Sequence, residues 1–134
     1  MPDLAAMTEA EVPSLLGFYK DLHTYPELSL REEATAGKVA SELRAAGLEV
    51  TEKVGGHGVV GVLKNGDGPT ILIRTDLDAL PVKEQTGLPY ASAVTVKDEQ
   101  GNLVPVMHAC GHDIHMSCFV GTARVLAKSR ATWK

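Results

Sequence analysis

The chain has little of what marks a disulfide-stapled, membrane-spanning or nucleic-acid-binding protein. It holds two cysteines in 134 residues, one of them inside a histidine cluster, which is too few for a disulfide framework. No apolar run approaches the ~20 residues of a membrane span. The first seven residues carry neither a basic stretch nor a long apolar core, so they do not read as a secretory leader. The 13 Lys and Arg are scattered and the net charge is -4, so the basic stripe that nucleic acid requires is missing. Internal repeats and low-complexity tracts are absent. With 44% hydrophobic and 22% charged residues, the composition is that of a soluble globular chain with one ordinary core. A reducing, cytoplasmic location is the expectation, with an export signal upstream of these residues as the alternative. Neither a membrane nor a nucleic-acid partner is expected.

What is present is concentrated. Three of the five histidines and one of the two cysteines fall within His108-Ala109-Cys110-Gly111-His112-Asp113-Ile114-His115. Thiolate and imidazole are the side chains that bind Zn²⁺ and its transition-series neighbours, at about 2.0–2.3 Å. Gly111, having no Cβ, lets the backbone fold tightly between Cys110 and His112. The bland alternative is a small buried cysteine beside histidines that cap helix carbonyls. The density of the cluster favours metal binding.

Around it, the periodicities predict alternating helices and strands. Leu15, Leu16, Tyr19 and Leu22 recur on one side of a helix over 13–23, which Pro13 would open. Thr8 and Glu11 could form a capping box, but Pro13 would interrupt a helix begun there. Ser29-Leu30-Arg31-Glu32 is a capping-box pattern ahead of a second helix. Its apolar face is Ala36, Val39, Ala40 and Leu43, and Gly47 is its natural stop. The period then changes to that of strands over 48–53, 58–64 and 70–75. Asn65-Gly66-Asp67-Gly68 turns between the last two, and Ile71-Leu72-Ile73 suits a central strand covered on both faces. Val94-Thr95-Val96 and Leu103–Val106 flank an exposed hairpin turn, with Pro105 on an edge. A last, largely buried helix is expected over 113–129, with Ile114, Cys118, Val125 and Leu126 on its apolar face, widened by Phe119 and Val120. The sum is an α/β fold, a mixed sheet flanked by helices.

A second chemical signal lies just past the apolar strand, in Arg74-Thr75-Asp76-Leu77-Asp78-Ala79-Leu80-Pro81. Asp76 and Asp78 are two apart and project to one side of extended chain. Ligands gather at the carboxyl ends of strands in open α/β sheets. Two such carboxylates suit support of a metal site or a general base, the alternative being a solvated turn. His57 reads as a loop histidine, His23 as a helix-end cap, Glu27 as a first-turn acid and Cys118 as core.

Together these residues resemble the metal-dependent amidohydrolases and metallopeptidases that include hippurate hydrolases, N-acyl-amino-acid deacylases and auxin-conjugate hydrolases. The resemblance rests on His-Ala-Cys-Gly-His-Asp-x-His at 108–115 and Arg-x-Asp-x-Asp-Ala-Leu-Pro at 74–81. It is joined by His23-Thr24-Tyr25-Pro26-Glu27, where Tyr25 departs from the family's usual second His. The match runs from about residue 15 to the end, and the two central motifs are specific. The resemblance implies that Cys110 and His112 are the first two ligands of a two-metal site. Zn²⁺ is the expected ion, with Mn²⁺, Co²⁺ or Ni²⁺ as alternatives. It further implies that Asp78 is the acid orienting a metal-bound histidine or the active-site water. Asp76 stands where wider relatives carry a metal-binding His, and His115 and Asp113 would be supporting residues. Members of the family are about three times this length (consistent with a multi-domain chain). Residues 1–134 would therefore be the N-terminal part of a zinc-exopeptidase-like catalytic domain, without the catalytic Glu and the later ligands. The whole enzyme would hydrolyse a small-molecule N-acyl amino acid or peptide with metal-activated water, as an expected homo-oligomer, while this piece alone would be inactive. A dipeptidase or carboxypeptidase of the same superfamily is the runner-up, and a non-catalytic metal-binding module is the alternative of another class.

Overall fold

The computed structural model describes residues 2–134. The first helix, α1, spans Leu4–Thr24 and is capped by the Asp3 side chain, which accepts from the Ala6 N–H. It begins nine residues before Pro13, which lies inside it, so the expected start at Pro13 is corrected. An interior proline removes one helical hydrogen bond and costs about 3 kcal/mol. Tertiary ion pairs offset that cost. Glu11, buried, accepts from Arg124 at 3.0 Å and from Lys128 on the last helix, and Arg124 also pairs with Glu42. The Thr8–Glu11 capping box is not formed, since the Thr8 hydroxyl donates to the Leu4 carbonyl.

The second helix, α2, spans Glu33–Ala45. The amides of its first turn are satisfied by Glu27, whose carboxylate accepts from the Thr35 N–H at 2.7 Å and the Ala34 N–H at 3.2 Å. The expected Ser29 cap is therefore replaced by a carboxylate from further upstream, which also suits the positive end of the helix dipole. Glu32 does reach back, but to the Leu30 N–H. The far end behaves as read. Gly47 has φ of +86° and donates to the Arg44 carbonyl, while the Leu48 N–H donates to Leu43, the bond pair of a Schellman stop.

Strands β1 (Glu49–Val54) and β2 (Gly58–Val62) form an antiparallel ribbon, and β3 (Thr95–Lys97) and β4 (Leu103–Pro105) form another. The last helix, α3, spans His112–Lys128. The stretch 70–75, expected as a central strand, pairs with nothing among the described residues. Ile71 and Leu72 are 79% and 87% exposed. Apolar composition signals a strand, but a strand also needs a neighbour to accept its hydrogen bonds, and none of these 133 residues supplies one.

The buried core is Leu22 of α1, Val39 and Leu43 of α2, and Met116 and Ala123 of α3, with Phe18, Leu48, Leu77 and Phe119 packed on it. Burying each large aliphatic side chain is worth about 1.5–3 kcal/mol. The inner stripe of α3 is Asp113, Met116, Ser117, Val120 and Gly121, whereas Ile114 and Cys118 are exposed. The expected face of this helix was thus rotated, and Cys118 is not a core residue. The position of the extended chain after 75 matters most for function. Ala79 N–H donates to the Glu27 carbonyl at 2.8 Å, and Leu80 and Met107 exchange two bonds of 3.0 Å. A parallel bridge at Leu28–Ala79 and an antiparallel one at Leu80–Met107 thereby bring residues 76–80 alongside the start of the histidine cluster.

Candidate metal centre

Gly111 makes the turn into α3. It has φ of +80°, a left-handed conformation that a side chain disfavours, and its carbonyl accepts the His115 N–H at 3.0 Å. The tight turn expected between Cys110 and His112 is present. Cys110 lies just outside the helix with an exposed thiol, and His112 is the first helical residue.

Asp78 meets His112 directly. The His112 Nδ1 lies 2.8 Å from the Asp78 carbonyl oxygen and 3.0 Å from Asp78 Oδ1. Both are acceptors, so Nδ1 carries a proton and, in the neutral ring, Nε2 is the nitrogen with the lone pair. A histidine held in this way has its metal-binding nitrogen oriented in advance. Asp76 Oδ2 is 3.8 Å from that Nε2, and Asp76 also receives an ion pair from Arg74. These residues border a cleft of about 840 Å³ that His57 also lines, so the histidine read as a loop residue faces the same space. His115 stacks obliquely near His112, with ring centroids 5.9 Å apart.

The donor set suits a transition metal in kind, offering a thiol, an imidazole with a free Nε2 and a nearby carboxylate. It does not close around one. Among the described residues, no group of three or more His, Cys, Asp or Glu side chains is gathered so as to hold an ion. The geometry is that of one wall of a site.

Behind this wall lies a polar cluster that sequence reasoning missed. His23, 5% exposed, places Nδ1 at 2.6 Å from Asp113 Oδ2 and Nε2 at 3.0 Å from Glu84 Oε1. The expected helix-end cap is thus a buried ion-pair centre. Burial alone pushes the His23 pKa down, but hydrogen bonds to Glu84 and Asp113 outweigh it and hold it above the usual value. Burial likewise pushes Glu84 up, and the bonds from Thr86, His23 and the Ser92 N–H bring it below the usual carboxylate value. The clue in the sequence was His23 four residues before Glu27. Glu84 gave none. His108 is also buried, and neither of its ring nitrogens has a hydrogen-bond partner among the described residues. Burial pushes its pKa down, which suits a neutral ring.

The cysteine–histidine turn at 110–112 and the Asp76–Asp78 stretch both lie in a region that is similar to known proteins. Residues 72–134 match Peptidase family M20/M25/M40, in agreement with the recognition from the motifs. The chain is 41% identical over 122 residues to an N-acetylcysteine deacetylase of Bacillus subtilis, covering 90% of this chain and 30% of that protein. It is 47% identical over 107 residues to the hippurate hydrolase of Campylobacter jejuni, covering 79% of this chain and 26% of that protein. Among solved structures it superposes with a TM-score of 0.78 and 39% identity on a dinuclear metal-binding peptidase of the M20 family from Bacillus subtilis, covering 92% of this chain and 32% of the other. The chain thus spans under a third of the length of these relatives. No helix among the described residues is long and apolar enough to cross a membrane.

Proposed function

We propose that residues 1–134 are the N-terminal part of the catalytic domain of a metal-dependent amidohydrolase acting on N-acyl amino acids. In this assignment Cys110 and His112 are metal ligands and Asp78 is the residue that orients His112. The observation that supports it most is the His112–Asp78 pair, which holds the imidazole through Nδ1 and turns Nε2 toward Asp76, two residues from the exposed Cys110. When bound, a divalent metal supplies Lewis-acid polarisation of an amide carbonyl and lowers the pKa of water. The chain's own contribution is to hold ligands and to shape one side of the cleft. Zn²⁺ is the favoured ion for a thiolate–imidazole pair, with Mn²⁺, Co²⁺ or Ni²⁺ taken where carboxylates complete the shell. Two ions, a homo-oligomeric full-length protein and a cytoplasmic location belong to the same proposal. Peptidase activity is the second reading, favoured by the structural likeness to an M20 peptidase.

The test is Asp78→Ala in the full-length protein. Loss of a partner that orients a metal-bound histidine costs ~10–100-fold in metal affinity or activity. The Asp78 main-chain carbonyl survives the substitution, so a loss of about tenfold is expected, at the low end of that range. The thermal midpoint of the metal-free protein should hardly move, because the Asp78 side chain is not part of the core. Unchanged metal affinity and turnover in Asp78→Ala would make this aspartate a solvated turn residue.

A further inference from the structure

We propose that His23 is a positioning residue for the metal-ligand turn: a buried imidazolium that bolts the first turn of α3 to α1 and to the loop carrying Glu84. The proposal rests on the metal-site assignment above and extends it to a residue far upstream of Cys110 and His112 in the chain.

Donor counting carries the first step. Both ring nitrogens of His23 face carboxylate oxygens, at 2.6 Å and 3.0 Å. With both carboxyls ionised, a neutral imidazole, having one N–H, would set a lone pair against one of them, so it is the doubly protonated ring that satisfies both. The side chains of Asp113 and Glu84 are 2% and 1% exposed. Removing the cation would leave two buried carboxylates without their counter-charge, which is far costlier than losing an exposed pair. The surroundings favour the cation as well. His23 lies in the last turn of α1, where the helix dipole is negative. The rings of Tyr19 and Tyr90 pack against it with centroids at 5.6 Å, and Lys20 lies over Tyr90. The other titratable neighbour, the buried His108, faces the same cluster.

The second step is the leverage of Asp113. It follows His112 directly and is the second residue of α3. One of its oxygens binds His23, the other accepts the Ile114 N–H at 2.9 Å, and its carbonyl accepts the Ser117 hydroxyl. Asp113 thus has no freedom to rotate without breaking one of these bonds. Holding it fixes the helix start from which His112 projects, and with it the left-handed Gly111 turn that carries Cys110. His23 touches neither ligand, so its effect is on where they sit.

The experiment uses the full-length protein, wild type and His23→Phe, which fills the ring volume without donors. Leu43→Ala serves as a control that is destabilised through the core alone. Zinc affinity is measured by competition with a chromogenic chelator, and ligand geometry by the visible absorption spectrum of the Co²⁺ form. His23→Phe is expected to bind zinc roughly tenfold more weakly with an altered Co²⁺ spectrum, whereas Leu43→Ala lowers the melting temperature and leaves both readouts in place. His23→Gln, which keeps one donor, should fall between and serves if the Phe variant does not fold. Wild-type zinc affinity and an unchanged Co²⁺ spectrum in either folded His23 variant would overturn the proposal. If zinc binding also survived Cys110→Ala, the metal-site assignment would fall, and this inference with it. Zinc lost in Cys110→Ala but untouched by His23 substitution would overturn this inference alone.

Discussion

In the full-length protein, Cys110→Ala and His112→Ala should each strip most of the bound metal and abolish the proposed amide hydrolysis. The reason is count as much as chemistry. This chain offers few donors to any one ion, since no group of three or more is gathered among the described residues. Each donor therefore accounts for a large share of the coordination it supports. The loss should exceed the ~10–100-fold that follows removal of a residue that merely orients a ligand, so it should exceed the effect of Asp78→Ala. The fold should survive, because Cys110 is exposed and His112 is only partly buried, outside the apolar core. Elemental analysis alongside circular dichroism checks both halves. Metal content at the wild-type level in both folded variants would remove these residues from the site.

The second large effect concerns residues 1–134 expressed alone. Ile71, Leu72 and Ile73 form an exposed apolar run that pairs with no strand among the described residues, the combination that recruits another strand. A second apolar surface lies between α1 and α3, where Leu4, Val12, Leu16 and Ile114 are all about half exposed. Patches of this kind on a small chain favour association. The isolated chain is expected to self-associate at concentrations on the order of 10–100 µM, to bind zinc weakly and to show no amidohydrolase activity. Leu72→Lys should shift it toward monomer, by placing a charge on the strand most open to pairing. Sedimentation velocity decides the matter. A monomeric wild-type chain that melts cooperatively would show that this region needs no further covering.

Local signals were the legible ones. Gly47 stops α2 as its residue type demands, the 95–105 hairpin forms where its turn residues lie, and α3 starts at the glycine between two candidate ligands. The role of Asp78 beside a metal-bound histidine came from the resemblance of its motif, since the strand expected ahead of it is not formed. What was hidden depends on partners distant in sequence. Pro13 is tolerated inside α1 because Glu11 pairs across to Arg124 and Lys128, more than a hundred residues away. The α2 cap comes from Glu27 because the chain loops back, which no capping pattern encodes. Glu84 sits in an irregular stretch with no periodicity, 61 residues from the histidine it binds. For 70–75, composition stated what kind of element it would make but not who would pair with it.

The central assignment is most directly tested by anomalous diffraction at the zinc absorption edge, on crystals of the zinc-loaded full-length protein. The account predicts a peak at bonding distance, about 2.3 Å from Cys110 Sγ or 2.0–2.1 Å from His112 Nε2, with His112 Nδ1 still held by Asp78. A metal peak elsewhere in the molecule, with both side chains free of it, would contradict the account.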